Sequence, residues 1–205
     1  ELMWTSVLND GWTVTIPDHQ GPLSAFSSSF IHGHASLDAI RATLNFEQLK
    51  LDPKSAVVGM GYSGGAIAGG WAASLLGSYA TELNVVGWSI GGTPSNVTGT
   101  FYGLDGSLFS GFSVAGVAGI VDSYPEVNDY VGSVITPAGN AALQFTREHC
   151  MGDIVVGLQN VNLTGKDFVK NEKNFLTDKR IAPILDHLTM GTDSKLTPRV
   201  PVYMY

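Results

Sequence analysis

Residues 61–65 have the sequence GYSGG, which places Ser63 in the pattern G-x-S-x-G. This pattern is typical of a nucleophile elbow, a sharp turn from a strand into a helix that presents a serine hydroxyl for attack on an acyl carbon. Glycine and serine are also common in ordinary loops. The alternative interpretation is therefore a tight glycine turn with a surface serine.

The segments that flank Ser63 favour the catalytic interpretation. Residues 55–60 form a short apolar run with β-branched side chains, as in a buried parallel strand. Residues 66–76 combine alanines and glycines with large apolar side chains and predict a buried helix. We expect Ser63 to be the nucleophile. Gly61, Gly64 and Gly65 should meet the steric demand of the turn. Gly69 and Gly70 should let the helix lie close to the sheet.

A serine nucleophile needs a histidine to accept its proton and an acid to orient that histidine. After Ser63 the sequence contains only His149 and His187. His187 follows Asp186, but adjacent side chains on a helix point about 100° apart. Both histidines also precede the last predicted strand, whereas the triad base lies on a loop after a late strand. We therefore expect the triad acid and histidine beyond Tyr205.

An acyl-transfer site also needs two backbone N–H groups that stabilise the developing oxyanion. One belongs to the residue after the nucleophile, here Gly64. The polar turn at residues 16–21 follows a predicted strand, so the N–H group of Asp18 is the candidate for the second; a simple polar turn is the alternative. His32 and His34 alone are weak evidence for a metal. We expect neither a metal nor a cofactor.

Composition limits the class of protein. The chain has 205 residues, of which 44% are hydrophobic and 14% charged, so it is globular and long enough for a core. Its net charge is −7, and no lysine or arginine occurs between Lys54 and Arg147. A nucleic-acid partner is therefore not expected. No segment has the ~18 consecutive apolar residues that a membrane span requires.

The first part of the chain has the order of a parallel α/β sheet. Strands alternate with helices, and the loops at the carboxyl ends of parallel strands carry the active site. The predicted elements are a strand at 12–16, a helix at 36–46 with Ser36 as its N-cap, the strand at 55–60, the helix at 66–76 and a strand at 83–90.

The pattern becomes mainly helical after Ser95. Gly111, Ala115 and Gly119 recur at four-residue spacing, which permits close helix packing. Helices are also predicted at 138–150 and 179–187, and a strand at 199–205. A helical insertion between sheet strands indicates a cap over the active site. The predicted organisation is an α/β core at 1–95, a helical cap at 96–187 and a return to the core at 188–205.

Several segments in order resemble the fungal secretory lipases, the lipase A type of yeasts. They are residues 18–21, 61–66, 78–87 and 91–94, and the resemblance extends over essentially the whole chain. It implies a partial α/β-hydrolase fold with a helical cap, Ser63 as nucleophile, and oxyanion donors at Gly64 and Asp18. It also implies secretion, a metal-free site and a disulfide at Cys150, whose partner would lie outside this sequence. From the sequence alone, a buried free thiol at Cys150 is the alternative.

The expected function is hydrolysis of triacylglycerols or other carboxylic esters at an oil–water interface. A serine peptidase or acyltransferase on the same scaffold is an alternative, and so is a non-catalytic binding protein of the hydrolase fold. Both ends of the chain are abrupt, so we expect an internal piece of a longer protein. Two glycosylation sequons, at residues 96–98 and 162–164, are compatible with secretion.

Overall fold

The computed structural model describes residues 4–170 and 174–205. Strands β1 and β2 alternate with helices in the first part of the chain, and a long helical segment separates β2 from β3. The elements are α1 (Thr5–Asn9), α2 (Ser29–Leu44), β1 (Val57–Tyr62), α3 (Gly64–Tyr79), β2 (Val85–Gly91), α4 (Val97–Leu104), α5 (Ser110–Ser123), α6 (Pro125–Val134), α7 (Pro137–Glu148), α8 (Met151–Gly157), α9 (Ala182–His187) and β3 (Val202–Met204).

The strands form one parallel sheet in the order β1-β2-β3. In this register Gly59 lies beside Trp88, and Trp88 lies beside Val202. Parallel neighbours need a long crossover, and α3 supplies it between β1 and β2. The carboxyl ends of β1 and β2 consequently meet at one edge of the sheet, where Ser63 and Gly92 follow them.

Helix α3 covers one face of the sheet, and α2 packs on α3. Leu37 and Ile40 of α2 pack with Leu75 of α3, and the cluster continues to Trp88 and Ile90 of β2. The close approach depends on small residues. A Cβ atom at Gly59 would lie 1.9 Å from the Trp88 ring, and one at Gly69 would lie 3.0 Å from Ile90. Of the two glycines predicted to let α3 approach the sheet, Gly69 does so, whereas a Cβ atom at Gly70 would first meet the Met190 side chain at 2.8 Å.

The opposite face of the sheet carries exposed apolar side chains. Val58, Met60 and Tyr62 of β1 are 47%, 54% and 64% exposed. Tyr205 follows β3 with its ring over Gly91, where a Cβ atom would lie 2.4 Å away. Tyr203 is also exposed. Large apolar side chains of β1 and of the chain around β3 are thus exposed on this face, and the Tyr62 and Tyr205 rings lie 6.4 Å apart.

The segment from α4 to α9 has a hydrophobic core of its own. Its buried residues run from Val97 to Leu188 along the chain and include Val114, Leu163 and Phe175. Helix α5 lies at its centre and contacts α4, α6, α7 and α8. None of the helices in the described residues is long and apolar enough to cross a bilayer.

The spaced small residues of α5 mark its closest contacts. A Cβ atom at Gly111 would lie 2.5 Å from the carbonyl oxygen of Ile154 in α8. One at Gly119 would lie 2.2 Å from the carbonyl oxygen of Phe26. The close helix packing predicted from the four-residue spacing is confirmed at Gly111, whereas Gly119 packs against a loop. Gly119 additionally joins the helical segment to the loop before α2.

The strand predicted at residues 12–16 is wrong, because this segment has no regular secondary structure. Thr13 and Thr15 share a groove of about 340 Å³ with Val57 and Val58, so the segment runs beside β1 without forming a ladder. Alternating side chains predict which face a strand would bury. A strand nevertheless exists only when its backbone pairs with a neighbour.

The start predicted for the helix at 36–46 is also wrong. Helix α2 begins at Ser29, and Ser36 lies inside it. Its hydroxyl donates to the carbonyl oxygen of His32 at 2.8 Å. A serine in a helix commonly makes this bond to the preceding turn instead of capping an N-terminus. The predictions at 55–60, 66–76, 83–90, 138–150, 179–187 and 199–205 are confirmed in type, with shifted ends.

The contact at Gly119 predicts opposite effects for two glycine-to-alanine changes in the helical segment. Gly119→Ala should lower the free energy of unfolding by about 1–3 kcal/mol, because the new methyl group overlaps the Phe26 backbone. Gly132→Ala, in α6, meets no atom within 4 Å and should raise it by up to about 1 kcal/mol through helix propensity. Urea denaturation measures both, and equal effects would contradict the packing described.

Candidate active site

Ser63 has a backbone conformation that few side chains adopt. Its φ is 52° and its ψ is −114°, between the end of β1 and the first turn of α3. A positive φ at a non-glycine residue is strained, and such strain persists only where surrounding structure enforces it. Ser63 N–H donates to the Gly91 carbonyl at 2.9 Å, and the Ser63 carbonyl accepts from Ala66 and Ile67. The elbow is therefore held from the sheet and from the helix.

The neighbouring glycines differ in their importance for the turn. A Cβ atom at Gly61 would lie 2.2 Å from the Gly65 carbonyl oxygen, so this position requires glycine. At Gly64 it would lie 3.2 Å from the Phe26 ring. At Gly65 it would meet nothing within 4 Å, so the expected steric demand is wrong at that position.

Ser63 stands at the N-terminus of α3, a helix of 16 residues. The first N–H groups of a helix have no partner within it, and the helix dipole favours negative charge there. The N–H group of Gly64 belongs to this first turn. Its position beside the serine fits an oxyanion donor, and that role stays a prediction.

A cavity of about 540 Å³ opens beside Ser63. Its walls come from the loop before α2, from the ends of β1 and β2, and from α4 and α5. No charged side chain lines it within the described part of the chain. The lining residues are Phe26, Ser27, Tyr62, Ser63, Ile67, Gly92, Thr93, Pro94, Thr100, Phe101, Leu104, Phe109 and Phe112.

The aromatic lining was not predicted from the sequence. Phe109 and Phe112 are stacked with ring centroids 6.5 Å apart, and Phe109 is exposed. Large aromatic residues near the start of a glycine-rich helix were the available signal. Their direction depends on how α5 packs against the Phe26 loop, which local pattern does not reveal.

The turn that contains Asp18 is built from local contacts. Asp18 Oδ1 accepts from Gly21 N–H at 3.2 Å, and Gly21 has a φ of +65°. The same loop continues to Phe26, which touches Gly64. Asp18 is not among the residues that line the cavity beside Ser63. Its role as second oxyanion donor therefore stays a prediction.

Two histidines, His19 and His32, pack against each other beside this loop. His32 of α2 is fully buried, and its Nε2–H donates to the Ala25 carbonyl at 2.7 Å. The His19 ring packs edge-on against it, with centroids 4.9 Å apart. Burial lowers the pKa of His32 to about 4. The hydrogen bond to the Ala25 carbonyl raises this pKa, and charge repulsion from His19 lowers it, but both effects are smaller than that of burial. The ring is therefore neutral at pH 7 and anchors the loop as an uncharged donor.

The other histidines have partners elsewhere. His149 is exposed, donates to the Phe145 carbonyl at 3.0 Å and stacks on that ring. His187 stacks on Phe30 at 4.4 Å. Neither contact involves Ser63, which is exposed.

No metal site is formed by the histidines of α2. The His34 Nδ1–H donates to the Phe30 carbonyl, and the ring lies edge-on against Tyr79. His32 is bonded to Ala25. In the residues that the structure describes, no group of three or more histidine, cysteine, aspartate or glutamate side chains could hold a metal. Cys150 is an exposed free thiol, so the burial expected for it is wrong.

A parallel sheet, a strained serine between strand and helix, and a helical segment over the cavity define the α/β-hydrolase fold. Comparison with solved structures agrees. The chain matches the closed state of Candida antarctica lipase A with a TM-score of 0.82 and 36% sequence identity, over 91% of this chain and 44% of that one.

Sequence comparison gives the family. The model of the family described as "Secretory lipase" matches residues 1–205, so the chain belongs to the secretory lipase family. It is 44% identical to the secreted triacylglycerol lipase LIP1 of Malassezia furfur over all 205 residues, which cover 42% of that relative. It is 43% identical to LIP5 of the same organism, of which it covers 54%. The chain thus spans about half the length of these relatives.

The strain at Ser63 predicts an unusual order of stability for two substitutions. Glycine adopts a positive φ without strain, whereas alanine does not. Ser63→Gly should therefore be about 1 kcal/mol more stable than Ser63→Ala, although glycine is ordinarily the less stable of the two. Urea denaturation of both variants gives the difference. A more stable alanine variant would show that the elbow is relaxed.

Burial of His32 predicts a loss of stability in mild acid. Its pKa is about 4 in the folded protein against 6.5 in the unfolded chain. As pH falls below about 6.5, the unfolded state gains a proton that the folded state does not bind until about pH 4, so stability falls within this window. The loss attributable to His32 is about 3 kcal/mol.

Denaturation at pH 7 and pH 4 should show a smaller loss in His32→Gln than in the unsubstituted protein. His34→Gln is the matched control, because the His34 ring lies on the same helix and is only half-buried. An equal loss in His32→Gln would mean that His32 does not titrate as its burial requires.

Proposed function

We propose that the protein containing this chain is a secreted lipase that hydrolyses triacylglycerols through an acyl-enzyme on Ser63. The observation that carries the proposal is the placement of Ser63, a strained residue at a helix N-terminus beside an uncharged cavity of about 540 Å³. The names of the Malassezia relatives, secreted triacylglycerol lipases, support the substrate class and an extracellular location.

In the proposed reaction, Ser63 Oγ attacks the ester carbonyl carbon and its proton passes to a histidine. The N–H groups of Gly64 and Asp18 stabilise the oxyanion. The alcohol then leaves with the histidine proton, and water releases the fatty acid by the reverse sequence. We place the triad acid and histidine beyond Tyr205, because His149 and His187 both precede β3, whereas the triad base lies on a loop after a late strand.

The cavity fits a neutral acyl chain. Aromatic and aliphatic side chains such as Phe101, Leu104 and Phe112 surround the space, so an alkyl chain there leaves water without burying a charge. We propose that such esters are taken up at an oil–water interface. With a net charge of −7, nucleic acid is not a proposed partner.

The proposed division of the chain into a core and a cap follows the two hydrophobic clusters. Residues 1–95 and 188–205 supply the sheet and its helices, and residues 96–187 supply the cap. Leu196, Val200 and Val202 pack on the first cluster, which supports a return of the chain to the core after α9. The cavity lies where the two parts meet, since α4 and α5 line it together with the ends of β1 and β2.

Ser63→Ala in the protein that contains this chain tests the mechanism. Hydrolysis of a triacylglycerol emulsion, followed by release of fatty acid, should fall by at least about 10³-fold, as expected when a catalytic nucleophile is removed. Ser6→Ala is the matched control, because Ser6 is an exposed helical serine. Hydrolysis retained in Ser63→Ala would overturn the mechanism.

The same preparation separates the alternative functions. A fluorophosphonate probe should label Ser63 only when the hydroxyl is activated. Labelling with hydrolysis of peptides or transfer to an added alcohol, but no triacylglycerol hydrolysis, would identify a peptidase or an acyltransferase. Lipid binding without labelling would identify a non-catalytic binding protein.

A further inference from the structure

Two hydroxyl groups in the cavity beside Ser63 have no hydrogen-bond partner in the described part of the chain. Apart from Ser63, the serine and threonine residues that line this cavity are Ser27, Thr93 and Thr100. The Thr100 hydroxyl is satisfied, because it donates to the Asn96 carbonyl at 2.8 Å. The Thr93 hydroxyl is buried and unpaired, and that of Ser27 makes no bond either. An unpaired hydroxyl inside a protein is costly, so each one calls for an explanation.

Ser27 also has a strained backbone. Its φ is 67°, in the left-handed region, and only 5% of its surface is exposed. Such strain persists where neighbouring structure enforces it, and it clusters at functional sites. Ser28 supplies the enforcing contacts, since its N–H donates to the Ala25 carbonyl at 3.0 Å and its hydroxyl donates to the Gly119 carbonyl at 3.2 Å. The chain thus places a polar side chain where glycine would fit without strain.

The Ser27 hydroxyl lies against the aromatic wall of the cavity. A Cβ atom at Gly116 of α5 would lie 2.9 Å from Ser27 Oγ and 2.6 Å from the Phe101 ring, so this glycine leaves room for the hydroxyl. The residue before Ser27 is Phe26, whose ring touches Gly64 in the elbow. Ser27 therefore follows directly on the residue that connects this loop to the elbow.

Thr93 reaches the cavity from another element, the loop after β2. Its carbonyl accepts from Ser95 N–H at 2.8 Å, and the preceding residue, Gly92, donates its N–H to the Tyr205 carbonyl at 2.9 Å. These bonds hold the backbone on both sides of Thr93 and leave its hydroxyl unpaired. The two unpaired hydroxyls are thus held by separate backbone contacts around one cavity.

The rest of the lining limits what these hydroxyls can bind. Most of the wall is aromatic or aliphatic, and no charged side chain lines it within the described residues. A plain alkyl chain would displace water from the hydroxyls and leave them without partners, which costs affinity. A neutral group with an oxygen atom at this point would replace the lost hydrogen bonds. The lining therefore favours an ester that carries a further oxygen.

We propose that Ser27 and Thr93 form a polar subsite that binds an oxygen atom of the ester substrate outside the reacting ester group. The oxygen belongs either to the acyl chain, as in a hydroxyacyl ester, or to the alcohol, as in a diester with a second ester group. Both sources offer a neutral oxygen that accepts a hydrogen bond. The proposal rests on the ester hydrolysis at Ser63 proposed above and adds a substrate preference to it.

Two pairs of substrates test the subsite in the protein that contains this chain. One pair is a hydroxyacyl ester and the unsubstituted acyl ester of the same alcohol. The other pair is a glycol diester and the simple alkyl ester of the same acid. In Ser27→Gly and in Thr93→Val, kcat/KM for the oxygen-bearing member relative to its partner should fall by about tenfold in at least one pair, as expected when a hydrogen bond to substrate is lost. The pair that responds shows whether the oxygen lies on the acyl or the alcohol side.

Two control variants separate the hydroxyl groups from the shape of the loops. Ser24→Gly relaxes a φ of 46° in the same loop, at an exposed residue outside the cavity. Thr93→Ser keeps a hydroxyl at its position. Both should retain the substrate ratios of the unsubstituted protein. Unchanged ratios in Ser27→Gly and Thr93→Val, or an equal fall in Ser24→Gly, would overturn the subsite.

Ligand binding to Ser63→Ala tests the subsite without turnover. A long-chain diol should bind several-fold more tightly than the alcohol with one hydroxyl fewer, and adding Ser27→Gly should remove this preference. Equal binding of the two ligands, or a preference that persists in the double variant, would overturn the subsite and leave the nucleophile unaffected. Hydrolysis retained in Ser63→Ala would instead overturn the mechanism and leave the binding result standing.

Discussion

The conformation of Ser63 is the constraint on which the rest of the site depends. A positive φ at serine requires support from both directions, and the bonds to Gly91, Ala66 and Ile67 provide it. They hold the residue only while β1 and β2 keep their register and α3 stays close to the sheet. The small residues between α3 and the sheet, Gly59 and Gly69, therefore support the site, although they do not line the cavity beside Ser63.

The loop before α2 connects the elbow to the helical segment, because it packs against both. Phe26 touches Gly64 through its ring and Gly119 through its backbone, so one residue lies against both the elbow and the centre of α5. Ser28 adds a hydrogen bond to the Gly119 carbonyl at 3.2 Å. Buried His32 holds the loop from the other side through Ala25. The width of the cavity beside Ser63 is consequently set by packing at Phe26.

The elbow around Ser63 could be predicted from sequence because it depends on a local pattern of residues. A short apolar strand, a glycine-bounded serine and a small-residue helix follow one another, and the structure has each of them where expected. One error arose where a distant group decides the outcome, because residues 12–16 alternate correctly but lack a pairing partner. The other is local, because Ser36 bonds to His32 one turn earlier in its own helix instead of capping it. The aromatic lining depends on the docking of α5, which no single segment encodes.

The hydrogen bond between Ser63 N–H and the Gly91 carbonyl has a consequence for the order of folding. It joins residues on either side of the α3 crossover, so it forms only when β1 and β2 have paired. Contacts between residues far apart in sequence cost more loop-closure entropy than contacts within one turn. Support for the strained conformation of Ser63 is therefore acquired late in folding, when the two strands pair.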